Sequence, residues 1–421
     1  MIDIRDMIAR NRAGEAIGLP SFCTANGHVL RAILAHAART GAPTVIEATS
    51  NQVNQDGGYT GMDPAGFMSW LTGMAHAVGA PMDRLILGGD HLGPNPWRDA
   101  PAAEAMARAG ELVRLYVEAG FTKIHLDASM ALGGERPPSF ETIATRAAEL
   151  CAVAERHAPD PDRLIYVIGT EVPIPGGETE EPDALDVTTV ARLEETIETH
   201  RAAFASRGLQ AAWGRIVSVV TQPGVDFGHS RVYDYTPEAT RDLSAAILRT
   251  DGLTFEAHST DYQPTRLLRA LVGDHFFFLK VGPELTFRFR EAVIALSRIE
   301  DALTVDRPSG LRDTLDRRMR EDDRHWSAYY RGDAAEIARQ KLFSYSDRVR
   351  YYWSDAQVAT ALDRLLGNLS ALDLPAPLVS QFFTDLGFDD VPTGPEDLIA
   401  HHVDRCIARY FAAAGFGDAG G

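Results

Sequence analysis

The sequence has 421 residues in ordinary globular proportions, 45% hydrophobic and 24% charged, and a formal net charge of −18. This charge repels nucleic acid and anionic membranes, so we expect neither as a partner. No apolar run approaches about 18 residues and no signal-peptide core is evident, which predicts a cytoplasmic protein without membrane spans. Cys23, Cys151 and Cys406 lie far apart and in no metal-binding spacing, which predicts reduced thiols.

Short β-rich segments that end in polar or glycine residues alternate with stretches of helical composition. Near-continuous apolar strands separated by helices predict an α/β fold, a parallel (β/α)8 TIM barrel. An open doubly wound sheet is the alternative. Nucleotide-binding versions of it, and a kinase, lose support because neither a G-x-G-x-x-G after the first strand nor a G-x-x-x-x-G-K-[ST] occurs. The predicted strands cover residues 19–25, 44–50, 84–91, 123–129, 164–172, 215–224, 253–260 and 276–283.

The β-rich pattern stops after residue 283, and helical composition continues to the C-terminus. We therefore predict a barrel catalytic domain over residues 1–290 and a helical C-terminal extension over residues 291–421 that packs on it. The extension contains a cluster of aromatic and arginine side chains that either packs on the barrel or reaches a ligand. The members of this cluster are Tyr345, Arg348, Arg350, Tyr351, Tyr352 and Trp353.

Polar and ionisable residues gather at the predicted strand ends. In TIM barrels, active-site side chains project from the C-terminal ends of the strands. Burying so many ionisable groups at one mouth without a ligand or a metal would be costly, so we expect a functional site there. The candidates are Glu47, Ser50, Asn51, Gln52, Asp90, His91, His125, Asp127, Glu171, Gln222, Glu256, His258, Ser259 and Lys280.

Imidazole and carboxylate side chains suit a divalent cation, and a catalytic site keeps about three protein ligands and one open position. His91, Glu171 and His258 are the predicted ligands, with zinc as the first choice of metal and Mg, Mn or Co as alternatives. His125 is either a rival ligand or a packed core histidine. His229, in a loop, is either structural or a ligand.

Lys280 has two functional interpretations, a Schiff-base nucleophile and a cation that binds substrate oxygens or phosphate. The second is favoured because phosphate sites in TIM barrels often follow strands seven and eight. A structural lysine paired with Glu256 or Asp127 is the remaining alternative.

Several long runs carry a family resemblance, among them IEATSNQVNQDGGYTGM, LILGGDHLGPN, GFTKIHLDASM, YVIGTEVPIPGGE, QPGVDFGHS, FEAHSTDYQ, LKVGPELTF and SDRVRYYW. Over nearly its whole length the sequence resembles the Z-type (GatZ/KbaZ-like) subunit family of class II D-tagatose-1,6-bisphosphate aldolase, which includes tagatose-6-phosphate 4-epimerases. It is also similar to catalytic class II aldolases in an Asp-His pair (Asp90, His91), a Glu before two glycines (Glu171, Gly176, Gly177) and a late His258. It departs from them at Gln222, where those enzymes carry a metal-binding histidine.

The resemblance implies one of two functions, a ketose-6-phosphate 4-epimerase or a non-catalytic subunit that supports an aldolase in galactitol catabolism. Carbon 4 of a 2-ketose is not adjacent to the carbonyl, so its inversion calls for reversible cleavage of the C3–C4 bond, with the metal as Lewis acid. Asp90 is the expected general base and Asp127 a second acid or base. Expected partners are a sugar phosphate, a class II aldolase catalytic subunit and further copies of the chain. The predicted substrate-binding residues are Ser50, Asn51, Gln52, His125, Gln222, Ser259 and Lys280.

Overall fold

The computed structural model describes residues 2–172, 185–303, 305–386, 392 and 394–417. Gly176 and Gly177, which the aldolase comparison used, lie outside the described residues. None of the helices within these ranges is long and apolar enough to cross a membrane.

Eight parallel strands close into a barrel in the order β1-β10-β9-β6-β5-β4-β3-β2, which confirms the predicted TIM barrel. All eight predicted segments form barrel strands, and the described residues also contain a short antiparallel hairpin, β7 with β8, that was not predicted. The strands are β1 Leu19–Cys23, β2 Thr44–Thr49, β3 Leu85–Leu92, β4 Lys123–Leu126, β5 Ile165–Ile168, β6 Ile216–Thr221, β7 Asp226–Phe227, β8 Val232–Tyr233, β9 Thr254–Ala257 and β10 Phe276–Val281.

Helices follow the barrel strands, and further helices continue after β10. Helix α10 runs across residue 290, where the predicted domain boundary falls. The helices are α1 Ile4–Arg12, α2 Gly27–Thr40, α3 Pro64–Val78, α4 Ala102–Glu118, α5 Phe140–His157, α6 Val190–Ser206, α7 Gln210–Trp213, α8 Pro237–Ile247, α9 Thr265–Gly273, α10 Pro283–Ala302, α11 Leu311–Glu321, α12 Ala334–Phe343, α13 Ala356–Ser370, α14 Ala376–Phe382 and α15 Pro395–Ala413.

The barrel interior changes from apolar to ionic along its axis. At the N-terminal end of the strands, Leu19, Val45 and Phe278 form an apolar cluster with Met7 and Ile8 of α1. Because side chains on one face of a strand recur every second residue, the next inward positions lie towards the C-terminal ends. Those positions carry ionisable side chains, so the apolar cluster forms the floor beneath the candidate site.

The last helix is part of the barrel's outer layer. Helix α15 packs against α2, α9 and α10 and contacts β1. Tyr410 on α15 donates a hydrogen bond from its hydroxyl to the Thr260 carbonyl, at 2.7 Å. The Phe411 ring lies 5.7 Å from the ring of Phe22 and stacks on His36 at 4.6 Å. The C-terminal helices are therefore joined to the barrel through a shared apolar core.

Candidate active site

A kink at the end of β3 explains how two adjacent residues share one site. Successive side chains of a strand normally point to opposite faces. His91 has a φ of 48°, in the left-handed region, and the pairing of β3 with β4 shifts between Gly89 and Leu92. Both Asp90 and His91 consequently line the cavity at the barrel mouth.

Gly93 allows this kinked end of β3 to lie against β4. A Cβ atom on Gly93 would come within 1.6 Å of the Asp127 carbonyl oxygen, so no larger residue fits there. Gly88, in the same GGDHLG stretch, also has no room for a side chain. A Cβ atom on Gly88 would lie 2.8 Å from Cγ of Glu47. Glycines at these positions thus make room for the neighbouring strands and their inward-facing carboxylates.

Three imidazoles form a compact triangle at the C-terminal end of the barrel. The ring centroids of His91 and His125 are 4.9 Å apart, those of His91 and His258 are 5.0 Å apart, and those of His125 and His258 are 5.3 Å apart. One ligand atom from each of these residues and one from Asp90 all lie within 4.8 Å of one another, and all four residues are buried. This spacing suits a single metal ion.

Each imidazole uses one ring nitrogen on a carboxylate. Nδ1 of His91 lies 2.7 Å from Asp127, Nδ1 of His125 lies 2.9 Å from Asp90, and Nε2 of His258 lies 3.0 Å from Glu256. Such carboxylates fix the tautomer and orientation of metal-binding histidines and leave the other nitrogen for the metal. Consistent with this role, Nε2 of His125 is buried and has no hydrogen-bond partner among the described residues.

The electrostatic surroundings keep two of the imidazoles neutral. Burial lowers the pKa of His125, and burial together with Lys280 lowers the pKa of His258 to about 3. A neutral imidazole has a free lone pair, which is the form that binds metals. The donor set therefore fits a divalent cation.

Below the histidines lies a layer of paired charges. Nζ of Lys123 lies 2.5 Å from a carboxylate oxygen of Glu47 and 2.5 Å from one of Glu256. Lys280 contacts Asp90 directly, and its Nζ lies 3.4 Å from Glu47 and 3.5 Å from Glu256. Two lysines thus hold three buried carboxylates, which is how a protein interior tolerates charged groups.

These pairs maintain the charged forms. Burial raises the pKa of Asp90, but His91 and Lys280 outweigh burial and hold that pKa well below its usual range. Burial lowers the pKa of Lys280, but Asp90 and Glu47 outweigh it and raise that pKa well above its usual value. Asp90 is therefore an ionised acceptor at the centre of the site.

The structure brings some of the predicted site residues together and separates one of the predicted metal ligands from the others. His91 and His258 lie in the four-residue group with Asp90 and His125. The carboxylate of Glu171 instead lies 2.9 Å from Nε of Arg192, and its backbone carbonyl accepts a hydrogen bond from Gln222 at 3.3 Å. Glu171 as a ligand stays a prediction.

Asp127 and most of the predicted substrate-binding residues surround the group. Asp127 accepts hydrogen bonds from the backbone and hydroxyl of Ser129, which fixes the carboxylate that holds His91. Ser50 is buried beside β3, where its backbone N–H donates to Asp90. A cavity of about 1020 Å³ opens above the histidines, and its walls include Asn51, Gln52, Gln222, Ser259 and Lys280.

The predicted aromatic and arginine cluster of the extension packs in the core and also lines the cavity, while contact with a ligand stays a prediction. Tyr352 and Trp353 pack in the main hydrophobic core. Arg348, Arg350, Tyr351 and Trp353 also line the cavity above the histidines. His229, between β7 and β8, connects the barrel to the segment before the cluster. Its Nδ1 lies 3.2 Å from the hydroxyls of both Ser344 and Ser346.

Cys23 and Lys123 belong to the site but were not predicted from the sequence. The thiol of Cys23 lies 3.1 Å from Glu47 and 3.6 Å from Asp90. Lys123 precedes His125 and Asp127 at alternate positions of β4, so the strand period places all three on the inward face. That alternation was the signal for Lys123; a lone cysteine at a strand end carried none.

Residues 4–415 match the family of GatZ/KbaZ-like subunits of D-tagatose-1,6-bisphosphate aldolase. A probable tagatose 6-phosphate kinase from Sinorhizobium meliloti 1021 is 42% identical, with a TM-score of 0.87 over 94% of this chain and 100% of its own. The YdjI aldolase from Escherichia coli K12 is 13% identical, with a TM-score of 0.44 over 87% of this chain and 97% of its own. The fructose-bisphosphate aldolase of Campylobacter jejuni is also 13% identical, with a TM-score of 0.45 over 86% and 91% respectively.

Proposed function

Since this chain belongs to the GatZ/KbaZ-like family of D-tagatose-1,6-bisphosphate aldolase subunits, we propose that it is a metal-dependent ketose-6-phosphate 4-epimerase. The proposed reaction interconverts D-tagatose 6-phosphate and D-fructose 6-phosphate by reversible cleavage of the C3–C4 bond. An aldolase-type site that retains both fragments would act as an epimerase.

The observation that carries the proposal is the triangle of histidines with Asp90 beside it. Three imidazoles, each with one ring nitrogen on a carboxylate, offer ligand atoms that lie within 4.8 Å of one another. Asp90 contributes the remaining ligand-type oxygen within 4.8 Å. A purely structural role would not call for an unpartnered buried nitrogen on His125.

His91, His125 and His258 would hold the metal, for which zinc is the first choice on ligand type. When bound, a divalent cation supplies Lewis acidity that polarises the ketose carbonyl and stabilises negative charge on its oxygens. Asp127, Asp90 and Glu256 hold the three rings in place. Compared with the set predicted from sequence, His125 replaces Glu171 in this proposal.

Asp90 is the proposed acid and base. Its ionised carboxylate takes the proton of the 4-hydroxyl group while the C3–C4 bond breaks, which leaves an aldehyde at carbon 4. Rotation of that aldehyde presents its other face to carbon 3. The C3–C4 bond forms again, and Asp90 returns its proton to the oxygen on carbon 4, so atoms and charge balance over the cycle.

Lys280 is the proposed positioning partner of Asp90. The sequence favoured a phosphate-binding role for this lysine, but its Nζ is already in contact with three carboxylates. A lysine whose charge is matched in this way attracts a further anion weakly. Lys280 instead holds Asp90 in its ionised form beside the histidines.

A non-catalytic subunit is the second candidate function. Two observations favour it: the matched family is described as a subunit of an aldolase, which suggests a partner aldolase subunit, and the Glu171 carboxylate pairs with Arg192 away from the histidines. In this case the metal-type group would have an accessory or structural role.

The deciding experiment uses the purified chain alone, stripped of metal and reconstituted with zinc. Tagatose 6-phosphate is added and the appearance of fructose 6-phosphate is followed by NMR. Interconversion that depends on zinc, without any second protein, is the expected result. An inactive chain that nevertheless raises the activity of a class II aldolase catalytic subunit would support the second candidate instead.

A further inference from the structure

The segment Ser346–Ser354, termed here the arginine turn, is held rigidly against the barrel. Asp347 has φ and ψ of 44° and 48°, in the left-handed region, which a residue other than glycine adopts infrequently. Its buried carboxylate accepts hydrogen bonds from Thr286 at 2.7 Å and from Nε of Arg290 at 2.9 Å, both on α10. An unusual backbone conformation secured by buried contacts is a common feature of ligand-binding segments.

This conformation directs Arg350 to the cavity wall. The Nη1 group of Arg350 donates to the carbonyls of Ser346 and Asp347, and Nη2 donates to the hydroxyl of Tyr351 at 2.9 Å. A guanidinium has five N–H groups, so Nε–H and one N–H of Nη2 keep no partner among the described residues. Those two groups are therefore available as donors to a ligand in the cavity that Arg350 lines.

Arg350 also differs from Lys280 in its charge balance. Within the described ranges, no carboxylate lies within ion-pair distance of Arg350, whereas Lys280 has three. The Asp347 carboxylate is engaged by Arg290 and Thr286, and only its backbone carbonyl reaches Arg350. The cavity therefore has a cation without an ion-pair partner among the described residues, on the wall formed by the arginine turn.

Neighbouring donors make this part of the wall suitable for a phosphate. Trp353 lines the cavity with only 8% of its surface exposed, and its Nε1–H has no hydrogen-bond partner in the part of the chain that the structure describes. Tyr351 stacks edge-on with Tyr59 at 5.0 Å, and Tyr59 comes from the loop that follows β2. Burial raises the pKa of Tyr351, but Arg350 and Arg348 outweigh it and lower that pKa, so the phenol lies in a positive field.

We propose that Arg350 binds the phosphate group of a phosphorylated ketose whose reacting carbons lie at His91 and His258. The identity of the ligand rests on the proposed function, and the location of its phosphate is the new element. Arginine suits this task because its planar fork binds two phosphate oxygens at once. The C-terminal extension would thus decide whether the barrel accepts phosphorylated or free sugars.

The experiment compares wild type with Arg350→Met and Arg350→Lys, and uses Arg339→Met as the matched control. Arg339 lies on α12 at the surface, paired with Glu336 at 3.4 Å, and is not part of the cavity wall. Calorimetry measures the affinity for D-fructose 6-phosphate, D-fructose and inorganic phosphate. Circular dichroism and thermal unfolding establish that each variant is folded.

Arg350→Met is expected to weaken fructose 6-phosphate binding by about 10- to 100-fold, the usual effect of losing a charge-assisted contact. Affinity for free fructose should stay the same, and inorganic phosphate should no longer compete. Arg350→Lys should lose less, because it keeps the charge without the fork. If the methionine variant misfolds, the lysine variant provides the test. The quantity compared is then its affinity for fructose 6-phosphate relative to its affinity for free fructose.

Two outcomes would overturn the inference. One is an unchanged affinity ratio in folded Arg350 variants, and the other is a wild type that does not prefer phosphorylated fructose. Failure of the proposed function looks different, since wild type would bind fructose 6-phosphate through Arg350 yet would not epimerise it. That result supports the phosphate site and rejects the epimerase.

Discussion

The two walls of the barrel mouth differ in whether their cationic side chains are paired with carboxylates. On the strand-end wall, Lys280 contacts carboxylates, as Lys123 does in the layer below the histidines, so the charges of the protein satisfy one another. On the wall built by the arginine turn, Arg350 donates hydrogen bonds to carbonyl and hydroxyl oxygens and has no ion-pair partner among the described residues. Matched charges hold side chains in fixed positions, whereas an unmatched cation is available to a ligand. The strand ends thus position the site residues, whereas the arginine turn is available to bind the ligand.

The largest expected effect follows from removing the proposed base of the strand-end wall. Asp90→Asn should lower turnover by ~10²- to 10⁴-fold, the range for a positioned acid or base. Turnover of tagatose 6-phosphate is measured at saturating zinc. Metal content and thermal stability are measured in parallel.

Asp90 also orients His125, so metal loss has to be separated from loss of the base. If excess zinc restored the turnover of Asp90→Asn, Asp90 would act only by positioning His125. Persistent inactivity at full metal occupancy is the result that the proposed mechanism requires.

Removing a paired lysine and removing the unpaired arginine should lower the free energy of unfolding by different amounts. Lys123→Met leaves Glu47 and Glu256 with less positive charge and should lower the free energy of unfolding by ~3–5 kcal/mol, as for other broken buried pairs. Arg350→Met should lower it by less, because it strands no carboxylate. Urea denaturation of both variants provides the measurement. An equal loss in both would show that the two walls do not differ in this way.

A smaller effect is expected from the carboxylate that holds His91. Asp127→Ala should weaken metal binding by ~10- to 100-fold, the usual effect of losing such a partner. Glu171→Gln is the matched variant, and we expect it to bind zinc as wild type does. Competition with a chelator measures both affinities. A larger loss in Glu171→Gln than in Asp127→Ala would restore Glu171 as a ligand.

The smallest effect concerns Asp261, a buried carboxylate that lines the same cavity. Burial, aided by Glu284, raises the pKa of Asp261 to about 7, although backbone N–H groups at the start of α10 oppose this rise. Because the folded state holds this proton more tightly than the unfolded state, stability falls as the pH rises from about 4 to about 7 and stays lower above it.

Asp261→Asn keeps the acceptor oxygen and removes the charge. Relative to wild type, it should gain ~1–3 kcal/mol of stability at pH 8 and little at pH 4. Unfolding by urea at both pH values gives the difference. A gain of the same size at both would mean that ionisation of Asp261 does not contribute.

The sequence was sufficient for the barrel because each strand has a local signal, an apolar run that ends in glycine or polar residues. The hairpin of β7 and β8 escaped detection since each strand has only two residues. For the site, strand ends identified Asp90, His91, His125 and His258. Strand alternation would also have identified Lys123, whose charge is hidden among apolar neighbours.

Ion pairs between residues that lie far apart in the chain could not be predicted from the sequence. Nothing near Glu171 indicates that Arg192 pairs with it, and nothing near Lys280 indicates that Asp90 does. Both contacts depend on how distant elements are brought together by the closed barrel. The same holds for Arg350, whose position depends on a turn fixed by α10.

The docking of α15 onto β1 has a consequence for biosynthesis. Phe22 and His36 are synthesised early, whereas Phe411, the ring that packs on both, is synthesised almost four hundred residues later. Until then, this apolar part of the first strand and helix has no cover from α15. The full native cover of Phe22 and His36 can therefore form only after α15 has been synthesised, and an incomplete chain exposes apolar surface that favours aggregation.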